Sequence, residues 1–551
     1  MRSVALPALL ALALLPGRAG AQTAPPAEVQ EAQPPPVTAE EVRAEAAGYT
    51  VGRIYLFNED IFDPHKEGED LWVFQLANRL HRTTRPEVIE RQLLFKSGDR
   101  FSIQALRESE RLLRASRYLY DARIRPLRIA EGKVDVEVVT RDVWTLQGGI
   151  AFHHAGGVSR TRFDLTDGNF LGTGKNLDVE RTATVDRTSN LLRYQDPSVL
   201  GSRAQAQLWF AQNSDGSYRR LDFGRPFFAL DTRWAAGVQG IGDDRVDTLY
   251  KLGKIADRFR HREDFAELYT GLSPGLTDEG TQRFRVGFTY DRNRFGAAAG
   301  TPAPSLLPGN RTLAYPWIGY EYVENGFVVE RDFERLHRTE DLNLGRQLSL
   351  RLGLSAPAFG GDRQRWIFSG GAAAGWRPGP RQLLLTTLSA STRYRDGIEN
   401  GILSGRLRYY VRDLGNNLFL VNVEGDLAER LDPETQIFLG GDSGVRGYPF
   451  RFQDGTRRWA VNLEQRFFGH REYLHLLHLG AAVFFDAGRA WTPGGPSLFD
   501  RGVLSDVGAG LRLGSSRSAQ GTVVHLDLAV PLTGDRAIKR VQWLVMTSET
   551  F

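Results

Sequence analysis

From Trp144 to the end of the chain, apolar and polar residues alternate in segments of about ten, separated by turns of Gly, Asp, Asn and Pro. In Arg457–Phe467 one face carries Trp459, Val461, Leu463 and Phe467, and the other Asn462, Glu464 and Arg466. In Arg406–Arg412 the apolar face is Leu407, Tyr409 and Val411, against Arg406, Arg408 and Arg412. In Val524–Leu532, Val524, Leu526, Leu528, Val530 and Leu532 oppose His525 and Asp527. Side chains on a strand alternate between faces, so each segment predicts a strand with one apolar and one charged surface. A soluble sandwich also alternates. The strength of charge on the second face, together with chain length and an export signal, favours a transmembrane barrel with its charges inside. Roughly 400 residues at about 25 per strand and turn predict about 16 antiparallel strands.

The pattern differs upstream. Residues 50–143 read as one α/β domain. Val51–Phe57 is a strand, and Leu71–Leu80 a helix with Leu71, Phe74 and Leu80 near one face. Another helical stretch surrounds Val88–Leu94, and Lys96–Asp99 is a turn. Ser102 caps a helix bearing Ile103, Leu106, Leu112 and Leu113. Tyr120–Ile124 and Val134–Val138 alternate as strands. Residues 22–49, with Pro34-Pro35-Pro36, read as a flexible tether. At the start, Arg2, the apolar stretch Val4–Leu15 and Ala19-Gly20-Ala21 predict a signal peptide over 1–21.

Composition narrows the class. The chain has no cysteine, which excludes disulfides and thiolate chemistry. Its 70 Lys+Arg nearly balance 66 Asp+Glu, without the clustered basic excess of a nucleic-acid binder. No apolar run beyond the first segment is long enough for a membrane helix.

Two motifs carry the most information. Leu439–Tyr448 (LGGDSGVRGY) is a glycine-rich loop with one cation, Arg446, between Val445 and Gly447. Phe484–Gly488 (FFDAG) is an apolar strand with one anion, Asp486. Strand parity places Ala482, Phe484, Asp486 and Gly488 on one face and Ala481, Val483, Phe485 and Ala487 on the other. The second face is wholly apolar, and a charge facing lipid is costly, so Asp486 points into the lumen. Gly480, Ala482 and Gly488 are small and leave room beside it for the Arg446 loop. The blander alternative is an ordinary surface hairpin and a solvated lumen aspartate.

The pair resembles the VRGY/F loop and FxDxG strand of the BamA/TamA superfamily of outer-membrane proteins, and 50–143 resembles one POTRA domain, with an insertion around Pro64–Arg82. The resemblance implies a barrel at 144–551 in the bacterial outer membrane, a periplasmic POTRA domain, and a loop that folds into the barrel so that Arg446 meets Asp486. It implies a client edge at Leu119, Tyr120, Asp121, Ala122, Arg123 and Ile124, where an incoming chain adds as a strand. It further implies a weakly paired seam near Trp144–His154 and Arg540–Phe551. A terminal aromatic, Phe551, shares parity with Trp543 and Val545 and reads as an assembly signal, although Glu549 lies on the same face. Asn169–Gly174 and Ser198–Arg203 echo each other and resemble early-barrel turns.

Other motifs lead elsewhere. Gly271–Gly275 fits GxSxG, but Pro274 has no N–H for an oxyanion hole, so it reads as a turn. Gly441–Gly444 resembles a serine-protease segment without a matching His. His470, His475 and His478 lack the convergence and support that zinc needs. The expectation is therefore no enzyme, no metal and no cofactor. The expected function is assembly, insertion or translocation of polypeptide clients, with outer-membrane lipid and an accessory periplasmic or inner-membrane protein as further partners. A two-partner secretion pore and a passive porin or receptor are the alternatives.

Overall fold

The computed structural model describes residues 36–548, except 63–64, 66–70, 117, 332, 334–338, 414–416, 474–475, 496–499, 516–522 and 534–537. The expected signal segment, most of the tether and Phe551 lie outside the described residues.

The first domain is built from α1 (Ala39–Ala46), β1 (Thr50–Glu59), α2 (Trp72–Leu80), α3 (Pro86–Glu90), α4 (Ile103–Arg114), β2 (Leu119–Ala130) and β3 (Lys133–Asp142). Its sheet has the order β1-β3-β2, with β1 parallel and β2 antiparallel to β3. Val134, Val136 and Val138 on β3 are fully buried against Leu106 and Leu113 of α4. Burying each such side chain contributes about 1.5–3 kcal/mol. Ser102 caps α4 by accepting the Ala105 N–H at 3.3 Å. Two expectations are corrected here. The end of the expected tether is helical, because Thr38 caps α1, Glu40 and Glu41 favour its first turn, and Ala44 is buried in the domain core. Leu71 lies before α2 and is exposed, whereas Phe74 is buried and stacks on Phe62 at 4.4 Å.

The rest is a closed barrel of 20 antiparallel strands, from Leu146–Ala155 to Gln542–Ser548. This corrects the expected 16. Several strands turn within two residues, as at Gly156-Gly157 and Leu252-Gly253, where both loop residues have positive φ. Dividing the span 146–548 by 20 leaves about 20 residues per strand and turn, fewer than the usual allowance. Outward side chains such as Leu268, Leu272, Phe284, Val286 and Ile318 are more than half exposed, while Asp486, Asp506 and Arg512 are wholly buried inside. An apolar exterior around a charged interior is membrane-spanning geometry. Ser273 and Pro274 lie in the strand Lys254–Leu276 at a register shift between Leu272 and Gly275, not in a turn.

The first domain covers one end of the barrel. The two echoed segments are matching turns at that end, with Leu171 and Leu200 at φ +55° and +51°. Gly172 C=O accepts the Arg85 N–H at 3.0 Å, Asn169 Nδ2 donates to Thr84 Oγ1 at 2.7 Å, and Arg203 Nη2 donates to Leu93 C=O at 2.8 Å. From the same end an inner hairpin, Phe327–Arg331 with Thr339–Asn343, forms a separate two-stranded sheet among the described residues. Its connecting residue Phe333 is buried against Leu383, Tyr410, Leu418, Leu420, Phe468 and Val523, wall residues from five strands.

Candidate functional site

The connection between the strands Leu418–Glu429 and Arg457–Tyr473 folds back into the barrel from the end opposite the first domain. Short strands Ile437–Leu439 and Gln453–Gly455 pair at its base. Leu439, Val445, Tyr448 and Phe452 bury themselves against the wall residues Ala460, Ala490 and Leu504. Close approach depends on missing side chains. A Cβ on Gly447 would lie 2.6 Å from the Asp506 Cβ, and one on Gly488 would lie 2.7 Å from the Trp459 carbonyl and 3.2 Å from Leu439.

At the tip, Arg446 Nε donates to Asp486 Oδ2 at 2.7 Å and Nη2 donates to Oδ1 at 2.9 Å. This is the bidentate geometry that fixes both position and orientation. Arg446 Nη1 also donates to Glu464 Oε2 at 2.8 Å, and the guanidinium sits 3.3 Å over the Phe484 ring. Asn462 Nδ2 bridges Asp486 Oδ1 at 2.8 Å and the Gly444 carbonyl at 2.7 Å. The Gly447 N–H donates to Asp506 at 2.9 Å, and the Tyr448 hydroxyl lies 2.8 Å from the Ser505 carbonyl. Glu464 pairs with Arg466 at 2.9 Å, and Asp527 pairs with Arg512. The structure thus brings together Arg446, Asp486, Val445, Gly447, Tyr448, Phe484 and Gly488. Glu464, Asn462, Asp506, Arg512 and Asp527 join the same cluster. Their only sequence signal is inward parity on charged strands.

Among the described residues, the barrel closes between its first and last strands through one registered pair, Val545 with His154. The neighbouring pairing runs without interruption from Val523–Ser548 to Ala529–Gln542. Side chains bridge the seam as well. Trp543 stacks on His154 at 3.9 Å between ring centres and on Phe152 at 6.0 Å. Trp543 therefore sits at the seam, while Phe551 lies outside the described residues.

The expected client edge is β2, an outer strand of its sheet. Three of its outward backbone groups, at Ala122 and Ile124, are already occupied. The Ile124 N–H donates to Glu110 at 2.8 Å, and the Ala122 carbonyl accepts from Arg114 at 3.2 Å. The Ala122 N–H is held by Asp121 Oδ1 at 2.8 Å, and Pro126 has no N–H to offer. Leu119, Ala122 and Ile124 are buried, Tyr120 and Asp121 are half-buried, and Arg123 is exposed. Burial pushes the Asp121 carboxyl above the usual range. Burial works against the Arg114 charge too, but Asp341 and Glu110 more than offset it and hold the guanidinium above its ordinary value. Among the described residues, no cluster of three or more His, Asp or Glu side chains could hold a metal ion.

No family model matches the chain, and no curated protein matches it. Solved structures with similar form include BamA from Haemophilus ducreyi lacking POTRA domains 1–3, at 14% identity and TM-score 0.38, over 90% of this chain and 85% of that one. CdiB from Acinetobacter baumannii is similar at 13% identity and TM-score 0.43, over 90% and 73%. CdiB from Escherichia coli is similar at 14% and 0.43, over 90% and 76%. At values this low, the chain's own geometry is the ground for its function.

Proposed function

We propose that this protein is an outer-membrane factor of the BamA/TamA type that inserts or translocates polypeptides. Its first domain is a POTRA domain in the periplasm, and its barrel opens sideways at the seam. The work is mechanical: hydrogen bonds are exchanged between strand edges, no covalent bond is made or broken, and neither metal nor cofactor is needed. In lipid an unpaired backbone group costs several kcal/mol, so a client strand entering a membrane needs an edge to pair with. The observation that carries this reading is the seam, where the described residues of the first and last strands share one registered pair, against seven between the last strand and its other neighbour. The Arg446 loop braces the lumen wall beside it through Asp486 and Asp527. That loop and the inner hairpin occupy the interior, which disfavours a freely conducting porin.

A disulfide across the seam tests the reading. His154 and Val545 are Cα partners, and the chain has no other cysteine. The variant His154→Cys/Val545→Cys, reconstituted in vesicles, should fold an added urea-unfolded barrel protein when reduced and lose that activity when oxidised. Equal client folding in both states would refute lateral opening.

A further inference from the structure

The groups that close the β2 edge also hold the barrel. Arg114 Nη1 contacts Glu110 and the Ala122 carbonyl, while its Nε and Nη2 donate to Asp341 Oδ2 and Oδ1 at 2.8 and 2.6 Å. Asp341 belongs to the inner hairpin. The same face of α4 places Arg111 3.5 Å over the Phe327 ring, and Gln104 accepts from Asn325 Nδ2 at 3.2 Å. A cleft of about 650 Å³ runs between α4 and the hairpin. At the hairpin's other end, Arg412 Nη2 donates to the Arg331 carbonyl at 2.6 Å and Arg466 Nη1 to the Phe333 carbonyl at 3.1 Å. Arg466 is the partner of Glu464, which holds Arg446. One unbroken series of contacts thus joins the β2 edge to the lumen cluster.

We propose that Arg114 and Asp341 form a lock that keeps the β2 edge shut while the inner hairpin fills the lumen, and that an extended client strand opens both together. This regulation of the client edge rests on the function proposed above. A strand adding to β2 needs the Ile124 N–H and the Ala122 carbonyl, so it must displace Glu110 and Arg114. Arg114 is the fork that carries Asp341, and its displacement removes the charged contact between the hairpin and α4, leaving the Phe327 stack and the Asn325 hydrogen bond named above. The hairpin that carries Phe333 then loses its charged tie to α4 and is held across the lumen by Arg412, Arg466 and the wall contacts of Phe333. Coupling of this kind is reciprocal: withdrawing the hairpin also uncovers the edge.

The test uses the full chain in planar bilayers and vesicles. Asp341→Asn keeps the shape of the contact and removes its charge. It should raise single-channel conductance several-fold without any client. It should also increase capture of an unfolded barrel protein by a photo-crosslinking residue at Arg125, an exposed β2 position. Gln104→Cys/Asn325→Cys supplies a second arm in this cysteine-free chain: oxidation should lower both conductance and capture below the wild type, and reduction should restore them. Wild-type conductance in Asp341→Asn, or client capture and folding that are present but equal in the oxidised and reduced double variant, would overturn the lock and leave the proposed function standing. Conductance that follows the disulfide while no form captures a client would support the lock and sink the insertion reading instead.

Discussion

Replacing Arg446 by Ala isolates the energetics of the lumen cluster. Three guanidiniums, Arg446, Arg466 and Arg512, face four carboxylates, Glu464, Asp486, Asp506 and Asp527. The substitution leaves two against four and strips the fork from Asp486, which is wholly buried. Removing one partner of a buried pair costs about 3–5 kcal/mol, because the remaining charge stays desolvated. The ring contact with Phe484 adds about 1–2 kcal/mol to the loss, so the upper half of that range is expected. Arg446→Lys keeps a charge but not the fork and should cost about 1.5–3 kcal/mol. The assay is urea unfolding in vesicles, followed by the gel shift between folded and unfolded barrel. With a slope of about 2 kcal/mol per molar urea, Arg446→Ala should lower the midpoint by about 2 M. Asp486→Ala alone should act similarly, and the double variant should lose less than the sum, since no charge is then stranded. A midpoint shift under about 0.5 M, or strictly additive losses, would refute the buried-pair account.

Other outcomes follow from the same geometry. Because the Asp121 carboxyl is raised on folding, the stability it contributes is present below its unfolded value and lost as pH rises through the folded one. Asp121→Asn should therefore raise the first domain's melting temperature at neutral pH, with the gain shrinking in acid; a loss at neutral pH would contradict this. Trp543→Ala removes the stack on His154, worth about 0.5–1.5 kcal/mol, and should increase reactivity of a single cysteine placed at Val545 with little change in the global midpoint. Gly172→Ala places a Cβ 2.5 Å from the Thr83 carbonyl at a φ of +73°. It should speed hydrogen exchange across residues 83–93 while barrel unfolding stays unchanged.

How much of this was legible beforehand follows the range of each signal. The alternation in Arg457–Phe467 identified its inward and outward faces correctly, because strand parity is local. Arg446 and Asp486 were readable as a pair because their two motifs resemble those of a known family and the small residues beside Asp486 leave room on its inward face. The strand number was not readable, because it depends on how tightly each turn closes. The echo at Asn169 and Ser198 was visible, but its meaning lay in Thr84 and Leu93, far away in sequence. The β2 edge looked open because its occupants come from α4, and α4's own partner, Asp341, lies 227 positions on.

By itself, then, the order of residues determined a two-part chain, a charged-inside barrel and a loop made to reach its wall. Periodicity and motif spacing act over a few residues, and those features need no more. Which backbone groups of β2 are taken, where the Phe327–Asn343 hairpin rests and where the cylinder closes were decided only in three dimensions. Each is a competition for the same hydrogen-bonding groups among segments that become neighbours only once the cylinder has closed.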